Sequence, residues 1–148
     1  MLEAAIVRSP VAHANSLKID KPDGAEKRIF TAEDMAADGV QPIHVVSKFP
    51  GHRASDYPHL ATDKARFVGE AVAVCLAETR AGAEDIAAQT GLSFDPLPAV
   101  VDMLEAVDTP PALVHDDWDD NVILDSRFEE NVDGIANAAV SVTRTFRM

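Results

Sequence analysis

The chain has 148 residues, of which 47% are hydrophobic and 26% are charged, and its formal net charge is −12. These values are typical of one globular domain, and so negative a charge repels phosphate backbones and anionic lipid, which argues against nucleic-acid and membrane-surface partners. One cysteine excludes an internal disulfide, and no apolar run reaches the ~20 residues that span a bilayer, so we expect a cytoplasmic protein.

The negative charge is concentrated in one segment. Of the 25 acidic residues, 11 lie between positions 102 and 133, where Arg127 is the one base. Within that segment, the sequence DDWDDN at 116–121 lacks the glycine and the closing glutamate of a calcium-binding loop. We interpret it as a solvated acidic loop anchored by Trp118, with a calcium site as the alternative.

Short strands and one capped helix are predicted for the first 40 residues. Residues 2–9 and 15–20 favour strands, because a proline ends the first and a proline–glycine turn ends the second. A helix is predicted over 31–39, since Thr31 suits its N-cap and Gly39 suits its C-terminal end.

A strand-like stretch at 42–46 is followed by a predicted long loop at 47–59, which holds two prolines and a glycine without a sustained period. Such loops are often functional or lie against a partner. His52, Asp56 and His59 offer a shared metal site in this loop, and we favour the alternative of separate surface side chains.

The middle of the chain carries the clearest pattern. A strand predicted at 64–68 is interrupted by Gly69, and a second strand at 71–78 has large residues on one face and small residues on the other. This difference predicts a central strand with a helix, 79–90, capped by Thr79 and pressed on the small side. The large face consists of Val72, Val74 and Leu76, and the small face of Ala71, Ala73, Cys75 and Ala77.

Three more elements complete the prediction. They are a strand at 92–94 after Gly91, a helix at about 133–139, and an alternating strand at 140–147. Because strands outnumber helices and are mixed with them, we predict an α+β domain in which two to three helices pack on a mixed β-sheet.

The polar residues form no recognisable catalytic pattern. Cys75 lies within an apolar strand, which predicts a core residue rather than a nucleophile. The histidines lack the i, i+4 spacing of a helical zinc site, and the local signatures of serine hydrolases and phosphate-binding loops are absent. The five histidines are His13, His44, His52, His59 and His115.

Glu70, next to Gly69, allows two interpretations. The apolar strand that follows would desolvate its carboxylate, as in a general acid or base. Alternatively, the pair forms a bend, in which glycine supplies an unusual backbone geometry and Glu70 caps the chain or faces solvent. We favour the bend.

Several segments together resemble a known domain. The strongest are DKARFVGEAVAVCLAETRAGAEDIA at 63–87 and FDPLPAVVD at 94–102, supported by AAIVRSPVAHANSLKID, IFTAEDM, ALVHDD and SVTRTFR in the same order. They resemble the a/b hammerhead domain of the aldehyde oxidase and xanthine dehydrogenase family. In that family, which includes aerobic carbon monoxide dehydrogenase, the domain lies at the N-terminal end of the molybdopterin-binding large subunit.

The resemblance implies a single hammerhead domain over 1–148, part of a larger molybdenum hydroxylase subunit. It implies that the molybdenum-pterin cofactor, the iron–sulfur clusters and FAD are bound by other domains or subunits, so that no residue here is expected to be catalytic or to hold a cofactor or metal. The expected partners are C-terminal molybdopterin domains and iron–sulfur and flavin subunits, with self-association of the isolated chain. Arg66, Phe67, Gly69 and Glu70 are expected to form a structural bend or interdomain contact.

Two other functions remain as alternatives. The chain would be a free-standing binding or assembly module if it lacks catalytic partner domains. A small independent enzyme that uses Glu70 or the loop histidines is the third hypothesis, and the absence of base–nucleophile or metal spacing weighs against it.

Overall fold

The computed structural model describes residues 1–126, 130, 134, 136–144 and 146. A 3-10 turn at Glu26–Arg28 accompanies the strands and α-helices. In chain order these elements are β1 (Glu3–Arg8), β2 (Ala14–Asp20), β3 (Ile29–Thr31), α1 (Ala32–Ala37), β4 (Ala71–Ala77), α2 (Arg80–Gln89), β5 (Gly91–Pro96) and α3 (Met103–Asp108). No helix in these ranges has the length and apolar character needed to cross a membrane.

The strands form two antiparallel sheets. One has the order β1-β4-β3, and the other pairs β2 with β5. The α+β class is confirmed, but the predicted mixed sheet is wrong in its strand directions. Parallel neighbours need a crossover connection, and the helical connection that follows β4 leads to β5 in the other sheet.

The core lies between β4 and α2, on the small-residue face of the strand. Ala73 and Cys75 are fully buried there, and Ile86 and Ala87 of α2 pack against the cluster they form with Val7 and Ile29. The prediction of a central strand with a helix on its small side is therefore confirmed. Burial raises the pKa of the Cys75 thiol, as expected of a core cysteine.

Side-chain caps fix where two helices begin. Thr31 accepts a hydrogen bond from the backbone N–H of Asp34 at 3.4 Å, while the Asp34 carboxylate accepts one from the Thr31 N–H at 2.8 Å. Thr79 likewise accepts from the N–H of Gly82 at 3.1 Å. Both predicted N-caps are confirmed, because each side chain satisfies a helix donor that has no partner within the helix.

Two predicted strands in the middle of the chain do not form. At 42–46, Ile43 makes a single bridge with Tyr57, and at 64–68, Ala65 makes a single bridge with Ala14. Each segment has the local composition of a strand but meets only one residue of a partner. The predicted loop at 47–59 is irregular apart from that Tyr57 bridge.

The C-terminal half differs further from the prediction. Residues 140–144 form no strand, and Val140 and Val142 are exposed, with no strand beside them among the described residues. The helix predicted at 133–139 depends on Asp133 and Ile135, which lie outside the described residues. Helix α3, whose N–H groups are capped by Asp102, was not predicted.

Helix α2 ends at Gln89 with Thr90 as its C-cap, and β5 begins at Gly91, one residue before the strand predicted at 92–94.

Close contact between α2 and β4 makes the small residues there sensitive to size. Replacing the fully buried Ala83 by leucine is expected to lower the free energy of unfolding by about 1–3 kcal/mol, because the helix would be pushed off the strand. Urea unfolding measures this change. The control is Ala81→Leu on the exposed face of the same helix, and an equal loss in both variants would contradict the packing described.

Candidate functional site

The Gly69 turn leads directly into β4. Gly69 has φ +87°, and the space where a Cβ would lie is open, so the backbone conformation is what requires glycine. The Gly69 N–H donates to the Ser9 carbonyl and the Ser9 N–H donates to the Glu70 carbonyl, both at 2.8 Å. Arg8 adds a hydrogen bond from Nη1 to the Gly69 carbonyl at 2.8 Å. These bonds hold the turn against the end of β1.

Glu70 points inward from this turn. The residue is 9% exposed, and its Oε2 accepts a hydrogen bond of 2.6 Å from the backbone N–H of Arg66. The carboxylate thereby closes residues 66–70 into a compact loop. It caps the chain, as one half of the bend interpretation expects, but it does not face solvent.

A cavity of about 350 Å³ opens beside the turn. Arg66, Phe67 and Glu70 form one wall, so three of the four residues singled out in the sequence line the same space, while Gly69 shapes the backbone behind it. His52, Arg53 and His115 also contribute polar groups. The apolar lining residues are Val45, Tyr57, Pro58, Phe67, Val114 and Ile123.

His115 brings a neutral polar group to this cavity. Its ring stacks on Trp118 with centroids 4.4 Å apart. Burial lowers the pKa of His115, and the nearby charge of Arg66 lowers it further. The imidazole is therefore uncharged at neutral pH.

A buried lysine holds the segment that carries the cavity-lining residues Val114 and His115. Lys64 is 1% exposed, and its Nζ donates to the Leu113 carbonyl at 3.0 Å and to the Asp116 carboxylate at 2.7 Å. This contact joins the segment before the Gly69 turn to the acidic segment. The sequence carries no local signal for it, because Asp116 follows Lys64 by 52 residues.

Cationic side chains hold the acidic loop in place. Arg53 Nη1 lies 2.7 Å from an Asp119 oxygen and 3.0 Å from an Asp120 oxygen, and its guanidinium lies 5.6 Å from the Trp118 ring centroid. Trp118 is thus an anchor, as predicted. The loop is also solvated, as predicted, because the side chains of Asp116, Asp119 and Asp120 are 70%, 86% and 41% exposed while Lys64 or Arg53 contacts them.

Three of the histidines have separate polar partners. His44 Nδ1 lies 2.7 Å from the Asp56 carboxylate, and His59 Nε2 lies 3.1 Å from the Gln41 carbonyl. His13 is buried, with Nδ1 2.8 Å from the Pro98 carbonyl. Within the ranges that the structure describes, no group of three or more metal-ligating side chains comes together.

The positive φ of Gly69 yields a stability prediction. Gly69→Ala is expected to cost about 1 kcal/mol of unfolding free energy, because a Cβ disfavours left-handed backbone even where space is open. Gly69→Asn is the matched control and is expected to cost less, since asparagine tolerates that region better. Equal stability of wild type and Gly69→Ala in urea unfolding would show that the turn can change its backbone conformation without cost.

The Lys64–Asp116 contact yields a second prediction. Asp116→Asn is expected to cost about 1 kcal/mol, because the buried ammonium loses its charged partner. Asp117→Asn, at an exposed neighbour, is the control.

The pH dependence of stability tests the same contact. The hydrogen bond from Lys64 lowers the pKa of Asp116, so its contribution is complete above about pH 4 and is lost as pH falls through the lower folded-state pKa. Chemical unfolding between pH 5 and pH 2 should show a shallower decline in Asp116→Asn than in wild type. Identical slopes would contradict the contact.

Comparison with known proteins places this geometry in a family. Residues 1–98 match the family model described as "Aldehyde oxidase and xanthine dehydrogenase, a/b hammerhead domain". The nicotine 6-hydroxylase large subunit of Paenarthrobacter nicotinovorans is 34% identical over 116 residues, which cover 74% of this chain and 14% of that protein. Xanthine dehydrogenase 1 of Arabidopsis thaliana is 32% identical over 113 residues, which cover 72% of this chain and 7% of that protein.

Solved structures agree with the sequence match. Quinoline 2-oxidoreductase from Pseudomonas putida 86 superposes with a TM-score of 0.79 at 32% identity, covering 94% of this chain and 18% of that one. The Cu,Mo-CO dehydrogenase superposes with a TM-score of 0.65 at 27% identity, and the match covers 80% of this chain and 15% of that one. The chain therefore spans less than a fifth of the length of these relatives. With a family model that covers most of it and relatives above 30% identity, the chain belongs to the aldehyde oxidase and xanthine dehydrogenase family, and its residues 1–98 match the a/b hammerhead domain.

Proposed function

We propose that residues 1–148 form one structural domain of the large subunit of a molybdenum hydroxylase, and that this domain supports assembly without performing the chemistry. The family match over residues 1–98 is the observation that carries the proposal. It is also supported by the polar side chains near the Gly69 turn, which hold segments of the chain together through hydrogen bonds and ion pairs. Glu70 closes a backbone loop, and Lys64 and Arg53 tie down the acidic segment.

The described residues do not fit a molybdenum-pterin group. The cavity beside Gly69 is small and mostly apolar in its lining, the Glu70 carboxylate is engaged by backbone, and the described chain brings no three metal-ligating side chains together. We assign the molybdenum-pterin cofactor to other domains of a cytoplasmic parent enzyme, and iron–sulfur clusters and FAD to further domains or subunits. The presence of molybdenum in a related CO dehydrogenase supports this assignment.

Exposed apolar residues supply a surface for those partners. In and just before α3, Val101, Met103, Leu104 and Val107 are all exposed, and helix α3 buries none of its residues. Apolar groups clustered in this way favour contact with other polypeptide. The expected partners are the molybdopterin domains that follow in the large subunit, together with iron–sulfur and flavin subunits. In isolation, the same surface favours self-association of the chain.

A domain exchange tests the proposal. The matching segment of the quinoline 2-oxidoreductase large chain is replaced by this chain, and the hybrid is purified with its partner subunits. We expect it to assemble and to retain molybdenum and turnover, because the two folds superpose closely. The same host lacking the segment is the control and is expected to aggregate.

Two results would contradict the structural role. One is a host enzyme that assembles equally well without the segment. The other is stoichiometric molybdenum or iron, with turnover of an aldehyde or a purine, in the purified 148-residue chain alone.

A further inference from the structure

We propose that the cavity beside Gly69 receives an acidic side chain, carried next to a large apolar side chain, from the polypeptide that packs on this face of the domain. The proposal rests on the proposed structural function and names the chemistry of the contact. The site is formed by Arg66 with Tyr57, Phe67, Val114, His115 and Ile123.

Arg66 supplies the polar half of the recognition. Its Nη1 donates to the Lys64 carbonyl at 3.3 Å, whereas Nε is buried and has no hydrogen-bond partner. No carboxylate lies within ion-pair distance of this guanidinium among the described residues. Nε and Nη2 form the edge of a guanidinium that binds a carboxylate through two parallel hydrogen bonds. That edge is the one left without an acceptor.

The nearby carboxylates already have hydrogen-bond or ion-pair partners, including Glu70, which lines the same cavity as Arg66. Glu70 accepts from the Arg66 backbone N–H at 2.6 Å, and Asp116 accepts from Lys64 at 2.7 Å. Asp119 and Asp120 pair with Arg53. In a chain with a net charge of −12, an incoming carboxylate is repelled from most of the surface. Arg66 is a local cation that remains available for it.

The mouth of the cavity indicates a protein rather than a small molecule. Phe67 is 45% exposed and Tyr57 is 54% exposed, so large apolar side chains of the cavity lining are exposed to solvent. A small acid enclosed in the cavity would leave these apolar side chains exposed to solvent. A packed polypeptide segment would cover the cavity and the apolar side chains around it. In such a segment, a large apolar side chain would pack on these exposed apolar residues, and the adjacent carboxylate would bind Arg66.

Binding of two blocked dipeptides to the 148-residue chain tests the proposal. The probes are acetyl-phenylalanyl-glutamyl amide and its glutaminyl analogue, followed by ¹H–¹⁵N NMR that includes the arginine Nε–H signals. We expect the glutamyl peptide to bind about tenfold more tightly and to shift the Arg66 Nε–H, because only it offers a charge-assisted, two-point contact.

Variants assign the effect to Arg66. Arg66→Met should remove the difference between the two peptides, and Arg66→Lys should restore only part of it, since an ammonium lacks the planar edge. The control is Arg28→Met, an exposed arginine beside a different cavity, which should leave the difference unchanged. Backbone spectra of each variant show that it is folded.

Three outcomes would overturn the proposal: equal affinity for the two peptides, shifts that map away from the cavity, or much tighter binding of free 3-phenylpropionate than of the glutamyl peptide. The last would make the cavity a small-molecule site. These outcomes are separate from those of the domain exchange, because the hybrid enzyme can assemble whether or not the cavity selects a carboxylate.

Discussion

The packing of β4 against α2 is the constraint on which the domain depends. β4 lies between β1 and β3, and its alanine and cysteine face is closed by the helix that follows it. A Cβ at Gly82 of α2 would lie 3.3 Å from the Cβ of Ala77, so helix and strand are already at contact distance. Residues this small let the two elements approach closely, and the close packing fixes the position of β4.

Fixing β4 also fixes the turn that precedes it. The reciprocal hydrogen bonds between Ser9 and the Gly69–Glu70 pair extend the contact of β1 with β4 beyond a register shift at Val7 and Arg8. Arg66 and Phe67 are therefore presented from a loop that is held at Ala65 by Ala14 of β2 and at its other end by Ser9, which follows β1. A recognition surface on such a loop needs little ordering when a partner binds, which favours affinity.

The sequence predicted what depends on neighbouring residues and missed what depends on distant ones. The caps at Thr31 and Thr79 and the two faces of β4 are local patterns, and each was predicted correctly. Strands at 42–46 and 64–68 failed because a strand also needs a partner, which local composition cannot reveal. The interrupted strand pattern indicated the Gly69 turn, but the cavity depends on Lys64 holding the acidic segment, and pairing across 52 residues leaves no local pattern.

The two cations that hold the acidic segment differ in their access to water. The Lys64 side chain is 2% exposed, whereas that of Arg53 is 35% exposed and faces carboxylates that are themselves largely in solvent. Dissolved ions weaken exposed charge pairs far more than shielded ones. Rising ionic strength would therefore loosen the segment from its distal end, around Asp119, while the Asp116 end stays attached. Added salt is thus expected to release the acidic segment, which forms part of the cavity wall, first at Asp119 and only later at Asp116.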